Sequence, residues 1–204
     1  MVFQKVNKRK LASSIDFSRS PEYKKGIRSI IMLEFERIKA KIISEFNNHK
    51  VTQEIEMGPN ANNISGTLGG YGNLFSYIGF ESSDKPTEPI RQALNSIAIN
   101  SITFNKLGVA QTIISYPKPV DIFGITPLPW ANGRSWAEGI ERGLPGLGYF
   151  LSKDDAGRSG GGLQVTSKVK SGVKFARKFQ NTKYISSLIK DFDKDIYKLN
   201  SQTF

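Results

Sequence analysis

The chain has 204 residues and no cysteine, which excludes disulfides, thiolate metal sites and cysteine nucleophiles. Its length suffices for one well-buried domain, a second being necessarily small; 38% hydrophobic residues with 13 Phe and 7 Tyr exclude a wholly disordered chain, and 19 Gly with 9 Pro exclude a plain helical bundle. The net charge of +11 is uneven: residues 1–25 hold seven basic and two acidic groups, residues 151–204 eleven and five, and the stretch between them is balanced. A neutral body with basic ends reads as a folded module whose extensions seek an acidic surface, nucleic acid or protein.

The first 19 residues read as a basic arm. No apolar h-region follows its cations, and no stretch is long enough to span a bilayer, so a soluble protein made in a cytoplasm is expected, with no membrane partner. At "SPEY", Ser20 suits an N-cap, Pro21 the first helical position and Glu22 the positive end of the dipole. Ile27, Ile30, Ile31, Phe35, Ile38, Ile42 and Phe46 then recur at spacings of three and four, predicting a long helix that ends near Asn47 and Asn48.

Residues 51–55 read as a short extended piece, and the Gly/Asn-rich stretch up to Gly72 as loop. "NLFSYIGF" reads as a strand or a short buried segment, and "KPTEPIRQAL" as a short helix with Pro89 near its start. "SIAINSITF" (96–104) and "VAQTIISY" (109–116), joined through a turn containing Gly108, predict an antiparallel hairpin. "PKPVDIFGITPLP" carries four prolines and is expected to be irregular.

In "PLPWANGRSWAEGIERGLPGLGYFL" (127–151), a helix over 131–144 would align Ala131, Ser135, Gly139 and Gly143 as a row of small residues. Trp136, Ile140 and Leu144 would form a bulky row beside it. Trp130, Trp136, Gly139 and Gly143 are therefore the candidate assembly contacts, with the neighbour either this chain's own core or another subunit. Glu138 and Glu141 lie one turn apart on one element, which is not how glycosidases place carboxylates across a bond. An ion ladder through Arg134, Glu138 and Arg142 at i+4 spacing accounts better for Glu138.

Residues 152–183 read as a flexible basic loop or arm. From 165 to 190 there is no acidic residue, and Lys168, Lys170, Lys174, Arg177, Lys178 and Lys183 are the candidate contacts to DNA or an acidic partner, with Phe175 and Phe179 interleaved. The last segment, 184–204, places Ile185, Leu188, Ile189, Phe192, Ile196 and Leu199 on one face of an amphipathic helix.

Nothing in the sequence spells a reaction. His49, the only histidine, sits at the end of the long helix with no serine or ligand set spaced to use it, so a structural role is expected. "SGTLGGYGN" (65–73) lacks the GK[ST] ending of a phosphate loop and reads instead as a loop lying close to another backbone. No HExxH or EF-type loop is present. Catalytic residues, cofactors and metals are all expected to be none, and the chain is expected not to be an enzyme.

Three phrases, "NISGTLGGYGNLFSYIGF", "TPLPWANGRSWAEGIERGLPGLGYFL" and "FQNTKYISSLI", together resemble neck and structural proteins of the virions of T-even-like tailed bacteriophages with contractile tails. The resemblance runs from the long helix to the C-terminus and brings no catalytic or ligand residues with it. It implies a tail-completion type of connector fold over 20–151, with the long helix packed on a small antiparallel sheet. The fold class expected from both lines is α+β: the long N-terminal helix, the hairpin near 96–116, further short helices and flexible basic extensions.

The resemblance also implies a sixfold or twelvefold homo-oligomeric ring in the neck, at the head–tail junction. The implied partners are portal, adaptor, neck or tail proteins, with genomic DNA a further partner in the lumen. The competing expectation is a nucleic-acid-binding phage protein that works through its basic arms.

Overall fold

The computed structural model describes residues 20–69, 72–105, 108–143, 151–152, 163–164 and 179–201. The fold is α+β, with a long N-terminal helix, a two-stranded antiparallel hairpin and several short helices. Helix α1 (Pro21–Asn48) starts as the sequence predicts: the Ser20 hydroxyl accepts from the Tyr23 N–H, Pro21 takes the first position and Glu22 lies in the first turn. It buries Ile27, Ile31, Phe35, Ile38, Ile42 and Phe46. Ile30, counted in the same stripe, stays exposed, because it falls about 60° outside that row at 100° per residue.

Extended backbone at His49 breaks the helix, and α2 (Lys50–Glu56) follows at once. The extended piece expected at 51–55 is therefore helical. Val51, Thr52 and Ile55 are β-branched and suggest a strand in isolation, but tertiary burial overrides that preference. A 3-10 turn (Gly58–Asn60) leads to the loop, and α3 (Leu74–Ile78) then buries Leu74, Phe75, Tyr77 and Ile78, so the short buried segment is helical rather than a strand. Helix α4 (Glu88–Asn95) buries Ile90 and Leu94 as their spacing predicts.

Strands β1 (Ala98–Phe104) and β2 (Ala110–Ser115) pair antiparallel with Phe104 opposite Ala110, and the register shifts between Ile99 and Ser101. The proline-rich stretch is more regular than expected. Pro119 occupies the first position of α5 (Pro119–Gly124), where its missing N–H costs nothing, and the Asp121 carboxylate accepts from the Lys118 N–H.

Strands β3 (Pro127–Leu128) and β4 (Ala131–Ser135) form a small ladder before α6 (Trp136–Arg142). The helix expected to begin at Ala131 thus begins five residues later. Gly133 has φ +73, outside the helical region, and the Ser135 hydroxyl caps α6 by accepting from the Glu138 N–H at 3.1 Å. Two short strands, β5 (Leu151–Ser152) and β6 (Leu163–Gln164), pair antiparallel, joining the last residue assigned to the core with the segment read as a loop.

The C-terminal helix α7 (Ile185–Ser201) buries the six residues on its predicted face, in the same apolar cluster as α1. It runs antiparallel to α1: the His49 ring meets the Lys183 carbonyl at one end, and further along Lys41 pairs with Asp195 at 2.6 Å. At 1.5 Å per residue α7 is about 25 Å long and α1 about 42 Å. The N-terminal part of α1 therefore extends past the end of its partner. The hairpin accompanies it, since Lys39 donates to the Ile97 carbonyl and the Arg28 guanidinium lies over the Phe104 ring.

Candidate contact surfaces

The two tryptophans have opposite fates. Trp136 opens α6 at 1% exposure, edge-on to Phe80 with centroids 5.8 Å apart and tilted against Tyr184 at 6.2 Å. Gly139 is buried on the same helix, and Gly143 is its C-cap at φ +97, facing the Asn181 side chain. Trp136, Gly139 and Gly143 thus face this chain's own core and its 181 region. Of the two neighbours expected for this row, the described contacts are with this chain itself.

Trp130 remains at the surface, 45% exposed in the β3–β4 turn. It is fixed there. Its Nε1 donates to the Ile78 carbonyl at 2.7 Å, and its ring lies over Gly79, where a Cβ would come within 3.3 Å of it. Gly79 caps α3 at φ +91, a conformation that favours glycine. A half-bare indole held by a hydrogen bond is a pre-set anchor of the kind found at protein contacts.

The carboxylate pair separates. Glu138 bonds Arg142 at 2.6 Å across one turn of α6, while Glu141 accepts from the Ser186 N–H at 2.7 Å and so caps the first turn of α7. Arg134 belongs to β4, so the helical part of the expected ladder is the Glu138–Arg142 pair.

The glycine loop is organised from within. Glu54 is fully buried on α2: its Oε1 accepts from Leu74 N at 2.7 Å and Asn63 Nδ2 at 2.8 Å, and its Oε2 from Ser65 N at 2.8 Å. Asn63 Oδ1 accepts in turn from Leu68 N. The loop's outer backbone also meets another segment, the Thr67 carbonyl accepting from Gln180 N at 2.8 Å. Sequence reasoning missed Glu54, whose signal is a lone acid at an inward position of "VTQEIEM" just ahead of a loop rich in N–H donors.

His49 is likewise an organiser. Its Nδ1 accepts from Val51 N at 3.2 Å, capping α2, so the proton sits on Nε2, which donates to the Lys183 carbonyl at 3.1 Å. Burial holds its pKa below the usual imidazole value, against the pull of the Lys183 carbonyl and the Glu141 charge. Beside it Tyr184 is fully buried, its hydroxyl 2.9 Å from that of Thr52, and desolvation pushes its pKa up.

Of the basic candidates, Lys168, Lys170, Lys174, Arg177 and Lys178 lie outside the described residues, while Lys183 is exposed. Phe179 is not a free aromatic for bases: it stacks on Tyr77 at 5.8 Å against the core. With Gln180 bonded to Thr67, and Thr182 N donating to the Ile140 carbonyl at 3.1 Å, residues 179–183 form a strap docked on the body. Residues 179–183, expected as the end of the flexible arm, are thus docked on the body.

An open depression of about 250 Å³ beside α4 is smaller than the roughly 300–1,000 Å³ of typical ligand pockets. Its Arg91 is already engaged with Asn47, Glu56 and Glu88. Among the described residues no three His, Asp or Glu side chains gather as a metal site, and no helix is long and apolar enough to cross a membrane. No protein-family model, curated protein or solved structure matches the chain.

Proposed function

We propose that the chain is a non-enzymatic structural component of a tailed-phage virion. In this reading it self-associates into a ring at the neck, joins the capsid portal complex to the tail and contacts neighbouring portal, adaptor or tail proteins. The observation that carries the reading is apolar surface left bare where α1 extends past α7: Ile30 is 42%, Met32 45% and Leu33 71% exposed within one turn. Single exposed apolar residues are ordinary, but Ile30 and Leu33 lie about 60° apart on one side of α1, with Met32 about 100° further round, and the described residues leave all three largely uncovered, which supports a contact surface there. The resemblance to neck proteins drawn from three phrases of the sequence, and the basic ends on a neutral body, are in keeping with the same reading.

The reading is tested by measuring the mass of the purified full chain across concentrations and by proteomics of intact particles. Assembly into one defined oligomer, and presence in particles, are expected. A chain that stays monomeric and is missing from particles overturns it.

One observation favours a nucleic-acid role beside this. The bond from His49 to Lys183 brings the exposed Lys50 and Lys183 to the same end of the body, next to the strap that continues the acid-free run from 165. On this reading DNA affinity falls steeply with salt and is reduced, with a shallower salt dependence, on deleting 165–178.

A further inference from the structure

We propose that copies of the chain join head to tail by strand pairing, the outer edge of β1 in one copy zipping onto the outer edge of β2 in the next. The hairpin has seven and six residues in its two strands, and no other described strand pairs with either. Its side chains pack on the body, the Arg28 guanidinium of α1 over the Phe104 ring and Ile99 and Ile114 against the core, while no described strand extends its ladder. A lone two-stranded hairpin is marginal in water and gains stability from added strands.

The hydrogen-bonding phase shows which groups face outwards. Asn105 N donates to the Val109 carbonyl at 3.0 Å, closing the hairpin with a hydrogen-bonded pair. Counting back along the register, Thr103 with Gln111 and Ser101 with Ile113 are hydrogen-bonded pairs, while Phe104 with Ala110 and Ile102 with Thr112 are the alternating pairs. The main-chain N–H and C=O groups of Ile102 and Phe104 on β1, and of Ala110 and Thr112 on β2, therefore point away from the partner strand.

Beyond the register shift between Ile99 and Ser101, the strands from Ser101 to Phe104 and from Ala110 to Ile113 carry little of the usual protection. Proteins blunt exposed edges with charges, prolines or very short strands. Here residues 97–116 contain one charged side chain, Lys106, in the connection between the strands, and no proline. The edge chemistry demands an extended backbone as occupant, and the absence of charge suits a second copy, whose basic ends lie elsewhere in the sequence.

Two different edges meeting give a heterologous contact: β2 of one copy runs antiparallel to β1 of the next, so the alternation continues from copy to copy, and such a repeat makes a ring when the rotation between copies closes. The proposal rests on the self-association half of the function proposed above.

Amide exchange of the wild-type full chain is the first test. The Ile102 and Thr112 amides become protected as concentration rises, while those of Thr103, Gln111 and Ile113 are protected throughout. If the assembled protein leaves the Ile102 and Thr112 amides exchanging freely, the proposal is overturned.

The second test uses Thr112→Pro and Ile102→Pro, which remove outward N–H groups and keep the ladder within the hairpin. Each alone loses association by about tenfold or more, because one edge is blocked in every copy. An equimolar mixture forms one-to-one dimers, since the intact β1 edge of the first variant meets the intact β2 edge of the second. Dimers of either variant alone would mean like-with-like pairing and overturn the head-to-tail arrangement. Normal assembly of both variants sinks the edge pairing but spares the ring, whereas a wild-type chain that stays monomeric sinks both.

Discussion

The imidazole of His49 reaches the backbone of Lys183, 134 positions away, with Nε2 at 3.1 Å from the carbonyl oxygen, and holds the docked strap to the end of α1. The same ring caps α2 through Nδ1. Only the neutral form does both, because a protonated Nδ1 would face the Val51 N–H donor to donor.

Stability should therefore depend on pH in a defined direction. The folded pKa of His49 lies below its unfolded value because of burial. Below the unfolded value the unfolded chain binds more protons, so this contribution is complete above about pH 6.5 and is lost as pH falls through the depressed folded pKa. The melting temperature is expected to drop between pH 7 and 5.5. His49→Asn keeps a capping side chain without a titrating ring, so it flattens this slope. An equally steep slope in the variant would place the titration elsewhere.

Glu54 is expected to be among the costliest single substitutions. Glu54→Leu leaves the N–H groups of Ser65 and Leu74 and the Asn63 amide without their acceptor in a buried place, a loss of about 2–4 kcal/mol. Glu54→Gln keeps one oxygen but sets an amide NH2 against one of the donors, losing about 1–3 kcal/mol. Urea unfolding measures both, and amide exchange at Ser65 and Leu68 should quicken more than at Ile38 or Ile42. Unchanged urea midpoints would mean that the loop is held by something else.

Elements whose evidence is local were legible in the sequence. The α1 stripe and its Ser20–Pro21 start, the α7 face and the hairpin turn are each written within a few residues of where they act. What failed was local pattern overruled by distant contacts or by one backbone angle. Residues 50–56 are helical because the core buries their β-branched side chains, and 131–135 are a strand because Gly133 leaves helical space. Four prolines read as breakers, yet Pro119 is a helix starter. Among the candidate contacts, exposure separates Trp130 from Trp136, and no spacing rule encodes exposure.

That separation is measurable by fluorescence. Trp136 should emit to the blue and resist iodide, while Trp130 should be quenched in the free chain and shielded on assembly if its face meets another subunit. Trp136→Ala costs about 3–5 kcal/mol by emptying the core, whereas Trp130→Ala leaves most of the stability in place. Gly79→Ala costs about 1–3 kcal/mol, since it strains a residue at φ +91 and pushes a methyl group against the indole. Trp130 quenching that stays the same in monomer and oligomer would remove it from the contact surface.

Two nested deletions should measure what the docked strap contributes. Deleting 165–178 removes Lys168, Lys170, Lys174, Arg177 and Lys178 but keeps Phe179 on Tyr77, Gln180 on Thr67 and Thr182 on Ile140. Extending the deletion through 183 also removes the carbonyl that His49 holds, and with it three further backbone and ring contacts that fix the entry to α7. The shorter deletion is therefore expected to melt within a few degrees of the intact chain, with any DNA affinity and its salt dependence reduced. The longer one should lower the melting temperature markedly and loosen α7, visible as faster amide exchange at Leu188 and Ile189. If both deletions melt alike, the strap adds nothing to the core.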